Sequence, residues 1–274
     1  MNKGKRHHGA SRPPGKPLGG REKSPPRGSL PGVWFYGHHA VAAALANPRR
    51  TVLSLTATRS ALDALPEAAR AALARRRLSA EPVDAETINR LFPDSSVHQG
   101  IAARVEPLPA GSLEDVPAIL NLEAPAIVVA LDQVTDPHNV GAIMRSAAAF
   151  GAVALITTDR HAPGESAVLA KAASGALETL PWVRVVNLAR ALDDLTDHGF
   201  WRVGLDGGAK QCLHEIDPGR RVALVLGAEG EGLRHGTQTH CDLMARLPIA
   251  SAVESLNVSN AAAVALYELA RRRD

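Results

Sequence analysis

"AIVVALDQVTDPHNVGAIMRSAAAFGA" (126–152) decides the fold class. Its first six residues are all apolar, as expected for a strand covered on both faces, which is the usual state of a strand in a parallel sheet. A polar loop follows, and 140–150 then reads as a helix of Ala, Ile, Met and Phe. Asn139 is placed to cap that helix, Gly141 lets a neighbour approach its first turn, and Gly151 can end it in the left-handed conformation. Arg145 is the one cation in the stretch. In so apolar a helix it is either a solvated stripe or a ligand for phosphate or carboxylate.

The alternation continues to the end of the chain. "VALVL" (222–226) is a second continuous apolar run, and 152–158, 182–186 and 201–205 are further strand candidates. Helices are predicted over 165–177, 188–198 and 258–272. In the last of these Val258, Ala262, Leu266 and Leu269 fall on one face, and Arg271, Arg272 and Arg273 sit where cations suit a helix C-terminus. Strand–helix alternation of this kind predicts an α/β unit with a parallel sheet over 122–274. Ligands of such sheets lie off the carboxyl ends of the strands, which draws attention to three loops. The first is 132–152. The second, "LGAEGEGLRH" (226–235), spaces its glycines as G-x-x-G-x-G at 227, 230 and 232, with Glu229 between them. The third, "LPIASAVESLNVSNA" (247–261), enters the last helix, and its Ser255 and Asn257 either cap that helix or touch a substrate.

Upstream, 32–107 reads as a smaller α/β unit, with helices at 38–46, 65–77 and 84–92 (Asp84 as N-cap) and strands at 51–57 and 99–108. Three prolines and a glycine in 106–117 mark the boundary, and 108–121 is taken as a linker. Residues 1–31 hold six Gly, six Pro and eight Lys/Arg against one Glu. They read as a disordered basic tail of +7, the form that an arm for a polyanion often takes, so the rest of a chain of net charge +3 carries −4.

Other classes lack their signatures. No apolar run reaches the ~18 residues of a membrane span, and the N-terminus has no apolar signal core. Two cysteines form no disulfide framework, which suits a cytoplasmic protein. Without a C-x-x-C or a helical H-x-x-x-H no metal site is expected. Neither the phosphate-binding G-x-x-x-x-G-K-[ST] loop nor the G-x-S-x-G elbow occurs, which removes common nucleotide triphosphatases and serine hydrolases.

Together "DPHNVGAIMRSAAAFG", "LVLGAEGEGL" and "LPIASAVESLNVSNAAAVALYE" resemble, in order and spacing, the three signature motifs of the SpoU (TrmH-like) RNA ribose methyltransferases of the SPOUT superfamily. Residues 32–107, with "YGHHAVAAAL" (36–45) near their start, are similar to that family's N-terminal substrate-binding domain, itself similar to kink-turn-binding ribosomal proteins. The resemblance implies a C-terminal SPOUT domain with a deep trefoil knot that binds S-adenosylmethionine, and a homodimer whose subunits complete each other's sites. It implies transfer of a methyl group to a ribose 2′-hydroxyl of RNA. A guanosine of 23S rRNA is favoured, with a tRNA or another rRNA ribose as the alternative. A non-catalytic RNA-binding assembly factor on the same scaffold is the reading from another class. By matching positions, Gly227, Leu247 and Leu256 are expected to line the cofactor site, and Asn139, Arg145, Glu229, Ser255 and Asn257 to form the catalytic group. Because a guanidinium keeps its proton at working pH, Arg145 is expected to clamp phosphate and the developing alkoxide rather than act as a base.

Overall fold

The computed structural model describes residue 1 and residues 32–93, 96–250 and 255–272; the basic tail and positions 251–254 of the third loop lie outside them. The first unit contains β1 (Val33–Tyr36), α1 (His38–Ala46), β2 (Val52–Ala57), α2 (Arg59–Asp63), α3 (Glu67–Arg76), α4 (Ala85–Asn89) and β3 (Ile101–Val105). Its sheet is antiparallel, in the order β1-β3-β2. As predicted, Asp84 caps α4, accepting from the Thr87 amide at 2.7 Å, but that helix stops at Asn89 rather than 92.

The larger unit follows: α5 (Pro117–Leu120), β4 (Ala126–Asp132), α6 (Pro137–Ala149), β5 (Ala154–Thr158), α7 (Ala167–Ala173), β6 (Trp182–Val185), α8 (Leu188–Asp197), β7 (Trp201–Leu205), β8 (Gln211–Cys212), β9 (Arg221–Gly227), α9 (His235–Gln238), β10 (Leu243–Arg246) and α10 (Val258–Ala270). Its seven strands are all parallel, in the order β6-β5-β4-β9-β7-β10-β8. β4 and β9, the two continuous apolar runs, are buried along their whole length and pair from Ala126↔Arg221 to Asp132↔Gly227. Alternate residues serve opposite faces. Ile127, Val129 and Leu131 pack with Ile143, Met144 and Ala147 of α6 and with Leu266 and Leu269 of α10. Val128 and Ala130 pack with Leu188, Leu192 and Leu195 of α8. The stripe predicted for the last helix is buried as expected. Each leucine so covered contributes roughly 1.5–3 kcal/mol over its exposed state.

Several local expectations are corrected. α6 begins at Pro137, whose fixed φ suits the first helical position. Asp136 is therefore the cap, accepting from the His138 amide at 2.9 Å, and Asn139 lies inside the first turn. What approaches Gly141 is α7: a Cβ there would stand 2.5 Å from the Leu169 carbonyl oxygen. The helix predicted over 165–177 breaks at Ser174 (φ 50°) and Gly175 (φ 96°), leaving a single 3₁₀ turn at Ala176–Glu178. Gly151 does adopt positive φ after α6. The segment 108–121 is built into the fold. Gly111 lies beside edge strand β6, donating to the Trp182 carbonyl and accepting from the Arg184 amide. Arg221 donates to the carbonyls of Ile119, Asn121 and Ala124.

Both cysteines are free. Burial pushes the Cys241 thiol up to about 11, against the pull of Arg202. Since the thiolate is the reactive form, Cys241 should resist iodoacetamide at pH 8 in the native protein and react once guanidinium unfolds it. Intact-mass spectrometry reads the difference, and rapid native alkylation at Cys241 would contradict the buried environment.

Candidate active site

The sheet brings the carboxyl ends of β9, β7 and β10 side by side, and their loops enclose a cavity of about 590 Å³. Its wall runs from Leu205–Gly207 through Leu226–Gly232 to Leu247 and Ile249, and closes with Ser255–Val258. The size suits a ligand of a few tens of atoms. Gly227, Glu229, Leu247, Ser255, Leu256 and Asn257 all line it. Asp206 and Gly207 line it too and were missed. The signal was "DGG" directly after a strand candidate, at the end of the strand where ligands bind.

The glycine-rich loop is a tight reversal held by two bonds between Ala228 and Gly232, at 3.1 and 2.9 Å. Gly230 (φ 81°) and Gly232 (φ 67°) supply the left-handed conformations it needs. Gly227 serves a different purpose, because a Cβ there would fall 2.1 Å from the carbonyl carbon and oxygen of Gly232. The loop is anchored from below by Asp132, fully buried at the end of β4. That carboxylate accepts from the Arg234 guanidinium at 2.7 Å and from the Arg234 amide at 3.1 Å.

At the mouth of the cavity a polar group spans three loops. Glu229 Oε1 accepts from Asn139 Nδ2 at 3.0 Å, from Asn257 Nδ2 at 2.5 Å and from the Val258 amide at 3.3 Å. Asn257 Nδ2 also donates to Asn139 Oδ1 at 3.0 Å. Asn139 is buried, and both polar ends of its amide are used here. Asn257 does two jobs at once: its Oδ1 caps α10 through the Ser259 and Asn260 amides while its Nδ2 holds this group. Ser255 is not the cap. It lines the cavity and has no hydrogen bond among the described residues. Arg145 stands apart, exposed on α6 and outside the cavity wall, its side chain without a hydrogen bond or ion pair among the described residues. Among the described residues no cluster of His, Cys, Asp and Glu could hold a metal ion.

Residues 126–267 match the SpoU rRNA Methylase family, and residues 34–110 match the family described as RNA 2'-O ribose methyltransferase substrate binding. The chain belongs to the SpoU rRNA methylase family. It is 38% identical over 87% of its length to the 23S rRNA (guanosine-2'-O-)-methyltransferase RlmB of Pasteurella multocida, covering 98% of that protein. It is 40% identical over 87% of its length to an uncharacterized tRNA/rRNA methyltransferase of Synechocystis, of which it spans 62%. Among solved structures, the SpoU methyltransferase AviRb of Streptomyces viridochromogenes, in complex with the cofactor AdoMet, superposes with a TM-score of 0.72. The identity there is 27%, over 88% of this chain and 89% of that one.

Proposed function

We propose that this protein is an S-adenosylmethionine-dependent RNA methyltransferase that modifies a ribose 2′-hydroxyl, and that its target is a guanosine of 23S rRNA. The observation that carries the reading is the Asn139–Glu229–Asn257 group at the mouth of the 590 Å³ cavity. A scaffold that only bound RNA would have no need of it. The cavity fits the cofactor: Leu247, Ile249 and Leu256 offer an apolar wall for a purine, and the backbone at Gly227 leaves no room for a side chain. When bound, S-adenosylmethionine supplies a methyl group already activated on a sulfonium. The chain's task is then to place the ribose oxygen in line, where positioning is worth ~7–11 kcal/mol.

In this reading Asn139 and Asn257 fix the Glu229 carboxylate, and Ser255 faces the ribose. Arg145 grips the adjacent phosphate and the developing alkoxide. Since Arg145 lies outside the cavity of its own chain, we read the active form as a homodimer in which it completes the partner's site. Exposed Val264 and Tyr267 on α10 are the apolar surface available for that contact. By the family resemblance, the C-terminal segment is read as a trefoil knot. Residues 32–107 are read as a module that grips structured RNA, similar to kink-turn-binding ribosomal proteins, with 122–274 as the catalytic module and 1–31 as an electrostatic arm. No helix among the described residues is long and apolar enough to cross a membrane, and we place the protein in the cytoplasm with its RNA.

A transcriptome-wide map of 2′-O-methylation, with and without this gene, tests the assignment. Loss of one mark on a 23S rRNA guanosine is expected. Loss confined to tRNA would redirect the substrate, and an unchanged map together with no calorimetric binding of S-adenosylmethionine would leave only the scaffold reading.

A further inference from the structure

Far along the sheet from the cavity, at the β6 edge, the two units meet around a buried charge. Arg50, at the end of the turn after α1, has a side chain with no exposed surface. Its guanidinium donates to Glu178 Oε1 at 2.7 Å, to Glu165 Oε2 at 2.6 Å and to the Glu106 carbonyl at 2.8 Å. Glu178 is buried and also accepts from Asn47 Nδ2 at 2.7 Å. Glu165 Oε1 accepts from the Leu108 amide at 2.9 Å, so one carboxylate holds both Arg50 and the first residue of the connecting segment. Arg50 also lies over the Phe35 ring, 5.1 Å from its centroid. Arg76 of α3 fixes the turn itself through the carbonyls of Leu45, Asn47 and Arg50.

The rest of the junction is equally constrained. A Cβ on Gly175 would stand 3.1 Å from the Ala43 Cβ, so α1 packs closely on the turn after α7. The connecting segment is tied at Leu108 by Glu165, at Gly111 by β6 and at Ile119–Ala124 by Arg221. Nothing in this path resembles a free tether. An apolar seam alone would tolerate sliding, whereas a buried guanidinium shared by two carboxylates is satisfied in one geometry only. Burial pushes the Glu165 carboxyl up, against the pull of Arg50.

We infer that Arg50, Glu165 and Glu178 are positioning residues. They form a clasp that fixes the 32–107 unit in one orientation relative to the cavity, so that a single structured RNA is read by both units at once. The inference rests on the proposed function only for the identity of the bound RNA. A rigid pair of sites gains affinity when their spacing matches the ligand and loses it when one site swings free.

The test uses the full chain and compares wild type with Arg50→Lys and with the combined variant Arg50→Met, Glu165→Gln, Glu178→Gln. The combined variant leaves no unpaired buried charge. Small-angle scattering, calorimetry with S-adenosylmethionine and kinetics on a 23S rRNA transcript are the readouts. The combined variant should fold and bind S-adenosylmethionine within about twofold of wild type, keep kcat at saturating RNA, and raise the KM for RNA at least ~10-fold with a longer maximum dimension. Arg50→Lys, which keeps the charge but not the fork, should fall between. An unchanged KM and scattering profile would overturn the clasp. So would a parallel loss of cofactor binding, or unfolding of the combined variant, since either marks the cluster as purely structural. Should wild type fail to methylate the transcript, the proposed function fails, and scattering alone decides the clasp.

Discussion

Gly227→Ala should abolish cofactor binding and lower stability by about 3 kcal/mol, at the upper end of overpacking costs. The added methyl would lie 2.1 Å from the carbonyl carbon and oxygen of Gly232 and 2.3 Å from the Leu233 nitrogen. These are backbone atoms, so no rotamer change relieves the clash. The loop can yield only by breaking the paired bonds between Ala228 and Gly232, and that carries Glu229 away from Asn139 and Asn257. Gly230→Ala is the control. Nothing lies within 4 Å of its Cβ position, so its cost is confined to a φ of 81°, about 1–2 kcal/mol. Thermal denaturation and calorimetry with S-adenosylmethionine on both variants decide the matter. If Gly230→Ala proved the more damaging, the close-approach account of Gly227 would be wrong.

The contrast between these glycines shows what kind of information the sequence holds. Short-range rules were enough for the continuous runs at 126–131 and 222–226, for the Asp84 cap and for the left-handed Gly151. Each depends on a residue and its immediate neighbours. The spacing of Gly227, Gly230 and Gly232 was visible, but not that one excludes a side chain by contact while the others supply a turn. Asn139 shows the same limit from the other side. As an amide before an apolar helix it fits a cap, and only Glu229 and Asn257, 90 and 118 residues away, reveal where its two ends bond. The Arg50 cluster left no local trace at all. "NPRR" reads as a basic turn, and its acceptors Glu165 and Glu178 lie more than a hundred residues downstream. The gathering of Gly227, Glu229, Leu247, Ser255, Leu256 and Asn257 around one cavity was legible only through the family resemblance, since pattern alone gave three separate loops.

Arg145 carries the prediction that separates a site complete within one chain from one assembled across two. Arg145→Ala should leave S-adenosylmethionine affinity unchanged, because the residue does not line the cavity. It should cut kcat on RNA by roughly 10²–10³, the usual effect of removing one preorganised donor to a developing oxyanion. Arg145→Lys should recover part of that loss, since it restores the charge without the two-pronged grip. Full recovery would show that charge alone suffices. The decisive measurement mixes subunits. Suppose Arg145 serves the partner's cavity. Then Arg145→Ala and Glu229→Ala chains, each inactive alone, form mixed dimers in which one site has both an intact cavity and an intact arginine. Random pairing of equal amounts makes half the dimers mixed with one good site in each, so activity should return to about a quarter of wild type. A within-chain arrangement gives no complete site in any pairing, and activity would stay at the level of the separate variants.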